Sequence, residues 1–186
     1  MPTEIEAKIK VSDLTAVRTK LQVAGATRIA KELETNSFFD TPDASLQSSG
    51  TGLRIRVAVD ESRKSRCTVT MKGPLQKGQF KTREETEFSA DDPDAVRKML
   101  ENLGYHLTLS FEKRRETWTI ASCQAALDEL PYLGTFVEIE GETERNVSSA
   151  LDALGLAELP LISSGYVSLM ARYLEQHQIN DRHVRF

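Results

Sequence analysis

From Glu4 to Val11 apolar and charged residues alternate without a break. Ile5, Ala7, Ile9 and Val11 fall on one side of an extended chain; Glu4, Glu6, Lys8 and Lys10 fall on the other. That period of two predicts a β-strand. Residues two apart in a strand project from one face, about 6.5–7 Å from each other. The pattern returns downstream. Leu53, Ile55 and Val57 alternate with Arg54 and Arg56, Val69 and Met71 with Thr68, Thr70 and Lys72, and Val137 and Ile139 with Glu138 and Glu140. Phe80 to Phe88 sets Arg83, Glu85 and Glu87 on one side. Leu107 to Ile120 reads as one long strand or a bent pair. Phe111, Lys113 and Arg115 share a face there, and Glu112, Arg114 and Glu116 an exposed one. Asp128 sits in a short strand, Ala126 to Leu130.

Between these stretches the period lengthens. Leu14, Val17, Leu21 and Ala24 follow a cap at Ser12 or Asp13 and stop at Gly25, which predicts a helix. Asp91-Asp92-Pro93 opens a second helix through Val96, Met99, Leu100 and Leu103, closed by Gly104. A third is expected from about Val147 to Leu154. A fourth starts near Ser164 and runs through Tyr166, Leu169, Met170 and Leu174. Ile29 to Asp40 ends at a turn, Thr41-Pro42-Asp43, and Gln47 to Gly52 reads as a loop. Residues 180–186 carry no pattern and read as a disordered end. The chain is α+β, with one domain over residues 1–176 and a tail over 177–186.

Length and charge narrow the function classes. The 186 residues, 39% of them hydrophobic, suffice for a single core. A net charge of −4 argues against a protein that coats nucleic acid. No run of 18 apolar residues predicts a membrane span. Met1-Pro2-Thr3-Glu4 does not resemble a signal peptide, so a cytoplasmic location is expected. Cys67 and Cys123 lack metal-type spacing and read as buried thiols.

The charged faces admit two readings. An open sheet with helices on one side puts them in water; a sheet closed into a barrel puts them inside. These faces hold seven acids, Glu4, Glu6, Glu85, Glu87, Asp128, Glu138 and Glu140, and seven bases, Lys8, Arg54, Arg56, Lys72, Arg83, Lys113 and Arg115. Solvent faces usually mix in more neutral polar residues. Like charges on one strand face repel, so opposite charges or bound ions must compensate them. Clustered carboxylates suit hard cations such as Mg²⁺ or Mn²⁺. Clustered Arg and Lys suit phosphate.

Glu4-x-Glu6-x-Lys8 resembles the ExExK signature of the CYTH superfamily, the triphosphate tunnel metalloenzymes. Further segments resemble that family in order: Phe38-Phe39-Asp40-Thr41-Pro42, Leu53-Arg54-Ile55-Arg56, Thr70-Met71-Lys72-Gly73-Pro74, Arg83-x-Glu85, Glu112-Lys113-Arg114-Arg115, Leu127-Asp128 and Phe136-Val137-Glu138-Ile139-Glu140. The resemblance implies an eight-stranded antiparallel β-barrel, a tunnel with helices packed outside. It implies a metal-dependent enzyme whose Lys8, Arg54, Arg56, Lys72, Arg83, Lys113 and Arg115 hold triphosphate. Glu4, Glu6, Glu85, Asp128, Glu138 and Glu140 would hold Mg²⁺ or Mn²⁺, with Lys8, Glu4 and Glu6 at the chemistry. The helix around Tyr166 resembles one that plugs or lines a tunnel mouth.

The family hosts both triphosphatases and class IV adenylyl cyclases. The cyclases resemble one another in a His-Phe pair upstream of ExExK, where this chain has Met1-Pro2-Thr3. The expectation is therefore a triphosphatase. The alternative is a cyclase making cyclic AMP and pyrophosphate from ATP, and the third reading is a non-catalytic polyphosphate-binding module. The expected partner is a small-molecule triphosphate, not nucleic acid or membrane, with a homodimer possible.

Overall fold

In a computed structural model the chain is described from Thr3 to Phe186 apart from Lys77 and Gln79; the side chains of Thr3 and Glu4 lie outside the description. The strands are β1 (Thr3–Val11), β2 (Thr27–Asp40), β3 (Gly52–Asp60), β4 (Ser65–Lys72), β5 (Lys81–Ala90), β6 (His106–Ile120), β7 (Cys123–Leu130), β8 (Gly134–Gly141) and β9 (His183–Val184). The helices are α1 (Leu14–Val23), α2 (Ser45–Ser48), α3 (Pro93–Asn102), α4 (Glu144–Ala153) and α5 (Tyr166–Gln176).

Local chemistry sets several boundaries. The Asp13 carboxylate accepts the Thr15 N–H at 2.7 Å and caps α1. Gly25 follows at φ +75°, a left-handed position that costs glycine little. Asp92 caps α3, with Pro93 in its first turn, where a missing N–H loses nothing. The loop expected at residues 47–52 begins inside α2. The Asp40 carboxylate pins that turn, accepting N–H groups from Thr41, Leu46 and Gln47 at 2.7–2.9 Å.

The sheet runs β2-β3-β4-β5-β1-β8-β7-β6, and β6 returns to pair with β2. Every neighbour in that circuit is antiparallel. The result is a closed eight-stranded barrel, so both edges vanish. The closing seam joins the two longest strands, from Thr27 opposite Thr119 to Asp40 opposite His106. Residues 107–120 thus form a single strand.

Alternation then sends the apolar faces outward to the helices. Ala7, Ile9, Leu127, Val137 and Ile139 pack with Val17 and Leu21 of α1 and Val147 and Leu151 of α4. Ile55 and Cys67 pack beneath Leu100 of α3. The two cysteines are buried free thiols. The third cluster is different. Leu109, Phe111, Leu130 and Phe136 meet Met170 and Leu174 of α5. They lie on the same strand faces as Lys113, Asp128 and Glu138, so α5 stops one end of the tunnel.

The residues expected to form a disordered end instead add a strand. β9 pairs parallel to β6 at Ser110 and Phe111, and Val184 is buried in the α5 cluster. The exposed face expected at Glu112, Arg114 and Glu116 is partly covered. Glu112 accepts the Phe186 N–H at 3.0 Å, Arg114 lies 3.8 Å from the Phe186 ring centroid, and Glu116 takes Arg18 bidentately at 3.0 Å. Among the described residues no helix is long and apolar enough to cross a membrane.

Ile139 is fully buried between the barrel and α1 and α4. Ile139→Ala should lower the unfolding free energy by about 2–5 kcal/mol, measured by urea denaturation.

Candidate active site: a charged tunnel

Barrel closure turns the ionised faces inward, onto a cavity of about 950 Å³. Glu6, Lys8, Arg54, Arg56, Lys72, Arg83, Glu85, Lys113, Arg115, Glu138 and Glu140 all line it. Strands far apart in the chain thus deliver their charges to one volume. Glu4 lies opposite Arg83 in the backbone register, with its side chain outside the described residues. Asp128 is 0% exposed and sits beneath the lining.

The lumen is an ion-pair lattice. The Lys8 ammonium is 3.2 Å from Glu138 and 3.5 Å from Glu6. Arg115 grips Asp128 with two donors, at 2.7 and 2.5 Å, and also donates to Glu138. Lys113 reaches Asp128 at 3.5 Å, and Tyr166 donates its hydroxyl to Asp128 at 2.9 Å. Lys72 pairs with Glu85, Arg56 with Glu87 at 3.5 Å, and Lys81 with Glu6 at 3.0 Å. Arg54 donates to Thr70 at 3.0 Å, and Thr70 donates to Glu87 at 2.8 Å. Among the described residues, the buried Nε–H groups of Arg54 and Arg83 have no hydrogen-bond partner.

Two lattice members escaped the sequence reading. Glu34, 2% exposed, faces Lys113 at 3.2 Å, Arg56 at 3.8 Å and Arg115 at 3.9 Å, and accepts from the Asn36 amide at 3.1 Å. Lys81 holds Glu6. The inward face of β2 runs Glu32, Glu34, Asn36, Phe38, and mixed polarity hides its alternation. Counting back by twos from Phe38 would have found Glu34.

These environments fix protonation. Burial works against the charge of Lys8, but Glu138 and Glu6 outweigh it and raise its pKa, so Lys8 is an ammonium and not a base at neutral pH. Burial opposes the charge of Glu138 too, yet Lys8 and Arg115 hold it well below the ordinary carboxylate range. Burial and the neighbouring Arg56 push Arg54 down to about 10. Burial, then Asp128 and Glu138, push the Tyr166 phenol well above its usual range, which keeps it a donor.

Carboxylate oxygens, the donors a hard divalent cation takes, gather along β1 and β8. Glu6 and Glu140 are direct cross-strand partners, and Glu138 lies two residues along the same face. Among the described residues no three acidic, His or Cys side chains converge tightly enough to hold an ion. The three carboxylates Glu6, Glu138 and Glu85 face ammonium or guanidinium groups here.

The segment before α5 is stitched to the site. The Lys8 carbonyl accepts the Ile162 N–H at 2.8 Å, and its ammonium donates to the Ser164 carbonyl at 3.1 Å. That ammonium also lies 4.0 Å from the Tyr166 ring centroid.

A helix-plugged antiparallel barrel with both signs of charge on its inner wall is the architecture of a triphosphate tunnel protein. Residues 2–156 match the CYTH domain, and the chain belongs to the CYTH family. A Methanocaldococcus jannaschii protein provisionally assigned as an adenylate cyclase is 29% identical over 175 residues, covering 89% of this chain and 97% of the relative. The adenylate cyclase CyaB of Aeromonas hydrophila is 26% identical over 181 residues, covering 92% and 90%. The solved structure of a Pyrococcus horikoshii protein superposes with a TM-score of 0.80 at 24% identity, over 91% of this chain and 98% of that one. A provisional adenylyl cyclase of Hippeastrum, which reveals a dominant triphosphatase activity, superposes at 0.65 and 22% identity, over 95% and 96%.

Burial alone would raise the pKa of Glu34, but Lys113, Arg115 and Arg56 outweigh it and hold it far below the usual range. A depressed carboxylate adds stability above its unfolded pKa, about 4.3, and loses it as pH falls towards the folded value. The wild-type unfolding free energy should therefore fall more steeply between about pH 5.5 and pH 3 than that of Glu34→Gln. Urea titrations across that range measure the two slopes.

Proposed function

We propose that this protein is a divalent-metal-dependent enzyme acting on a nucleoside triphosphate, and that its reaction is cyclisation of ATP to cyclic AMP and pyrophosphate. The observation that carries the reading is a lumen lined by fixed cations in which the buried guanidinium Nε–H groups of Arg54 and Arg83 find no acceptor among the described residues. A buried donor without an acceptor is costly, and phosphate oxygens are the acceptors that match guanidinium best. The names of the two relatives, each aligned over about nine-tenths of this chain, favour the cyclase over the hydrolase expected from sequence.

Lys8, Arg54, Arg56, Lys72, Arg83, Lys113 and Arg115 would bind and orient the phosphate chain. Glu4, Glu6, Glu138 and Glu140 would hold Mg²⁺ or Mn²⁺, with Glu85 as a further candidate. Asp128 would act one layer back, setting the direction of Arg115, Lys113 and Tyr166. The metal, when bound, supplies Lewis-acid neutralisation of phosphate oxygens. Lys8 contributes charge and position: its ammonium stays protonated, so it holds an oxygen rather than removing a proton. Both reactions need this wall; they differ in whether the ribose hydroxyl attacks the α-phosphorus or water attacks the terminal one.

Hydrolysis of the terminal phosphate is the second reading, supported by the dominant triphosphatase activity of the Hippeastrum protein on the same barrel. Incubation with ATP or tripolyphosphate in Mg²⁺ or Mn²⁺ separates the possibilities by product. Cyclic AMP with pyrophosphate is the expected outcome, orthophosphate shifts the assignment to a triphosphatase, and binding without turnover shifts it to a polyphosphate-binding module. Arg56→Ala should weaken ATP binding at least about tenfold, since a charge-assisted contact contributes about 1.5–3 kcal/mol. Glu6→Gln should abolish metal-dependent turnover while leaving the urea midpoint within about 0.5 M of wild type.

A further inference from the structure

β2 lies between β3, which carries Arg54 and Arg56, and β6, which carries Lys113 and Arg115. On one side Asn36 is the cross-strand partner of Arg56; on the other Glu34 is the partner of Lys113 and Glu32 of Arg115. Residues two apart on a strand share a face, so the Glu34 carboxylate falls among three cations. Lys113 is 3.2 Å away, Arg56 3.8 Å and Arg115 3.9 Å. Among the described residues Glu34 is the carboxylate that reaches all three. Glu87 pairs with Arg56, Asp128 with Lys113 and Arg115, and Glu138 with Arg115.

We propose that Glu34 is a resident counter-anion: it takes the place of an oxyanion among Arg56, Lys113 and Arg115, aligns them while the tunnel is empty, and limits how tightly the wall holds an incoming phosphate chain. This makes it a positioning residue, not a phosphate ligand. The inference rests on the triphosphate reading above and adds to it a residue that sets anion affinity.

Depth is the first support. The Glu34 side chain is 2% exposed, whereas those of Arg56 and Arg115 are 22% and 17% exposed. A phosphate therefore meets the two guanidinium groups from the lumen, with Glu34 behind them, and need not displace it.

Charge is the second. Burial favours the neutral acid, but the three cations outweigh it, and the Asn36 amide donates to the carboxylate at 3.1 Å. Glu34 is thus a full negative charge at neutral pH. A phosphate oxygen on the same guanidinium groups would lie roughly 6 Å from it, and at a buried site that repulsion weakens binding by more than about tenfold.

The third is what its loss would leave. Arg56, Lys113 and Arg115 would crowd together with less opposing charge, and an anion from solution would become their counter-ion. A wall of that kind would hold pyrophosphate or orthophosphate too firmly to release it after reaction. Glu34 keeps the cations aligned and the grip moderate.

Isothermal titration with tripolyphosphate in EDTA tests the assignment, because without metal only the wall's own charges act and metal-dependent turnover is off. Glu34→Gln should bind at least about tenfold tighter than wild type, whereas loss of a merely structural group weakens binding. Glu34→Asp keeps the charge and should stay within about threefold of wild type. Glu32→Gln removes a carboxylate from the same strand face, but one that pairs with the exposed Arg66 at 2.9 Å. It should also stay within about threefold. In thermal scans tripolyphosphate should raise the melting temperature of Glu34→Gln more than that of wild type. A Glu34→Gln chain that is unfolded alone should regain the wild-type far-ultraviolet circular dichroism once tripolyphosphate is added. Unchanged or weaker binding by Glu34→Gln, equal tightening in either other variant, or an unfolded chain that the anion does not restore overturns the counter-anion alone. Wild-type protein that binds tripolyphosphate in neither EDTA nor Mg²⁺ overturns the triphosphate reading itself.

Discussion

Sealing β2 against β6 is the constraint from which the interior follows. While the sheet is open, each charged face can rest in water and no strand dictates the partner of another. Once it closes, Lys8, Glu34, Lys113, Asp128, Arg115 and Glu138 must share one enclosed volume. Charges removed from bulk water survive only when paired or hydrogen-bonded. The lattice is the response: each buried ammonium sits within 3.5 Å of a carboxylate. The outer faces have the complementary problem, and α1, α3 and α4 solve it by covering apolar side chains.

The same closure explains why the site is assembled from so much of the chain. No strand carries a complete constellation. β3 gives Arg54 and Arg56, β8 gives Glu138 and Glu140, and β6 gives Lys113 and Arg115. Pairing in register brings them together: Lys8 lies opposite Glu138, Arg115 opposite Asp128, and Lys72 opposite Glu85. Opposite charges meet across strands at these positions. Like charges meet at Glu6 and Glu140, where the ammonium groups of Lys8 and Lys81 offset the Glu6 carboxylate. Asp128 illustrates a division of labour that only depth reveals. It shares a strand face with the lumen, yet a layer of Arg115 and Tyr166 covers it, so its charge orients other groups.

Strands with strict alternation were legible from the sequence alone, because one sign of polarity per face leaves a single register. That covers β1, β3, β4 and β8, which carry seven of the eleven expected residues in the cavity lining; β5 and β6 carry the other four. Capped helices such as α1 and α3 were equally plain. Three features were not. β2 mixes Glu34, Asn36 and Phe38 on one face, so its carboxylate did not register as part of a charged row. α2 is a four-residue turn held by Asp40, a contact invisible to periodicity. β9 is two residues long and exists because β7 leaves the first half of β6 uncovered; pairing begins at Arg114 on that side. Nothing local in His183-Val184 encodes a vacancy on a strand more than seventy residues away.

Lys8 has two attachments to the segment ahead of α5, one from its peptide carbonyl and one from its ammonium. An anion arriving in the lumen competes for the second and has no purchase on the first. The connection is therefore a tether with a releasable clasp. Whatever partner the ammonium takes, the first turn of α5 stays leashed to β1 through the Lys8 carbonyl and to β7 through the Tyr166 hydroxyl on Asp128.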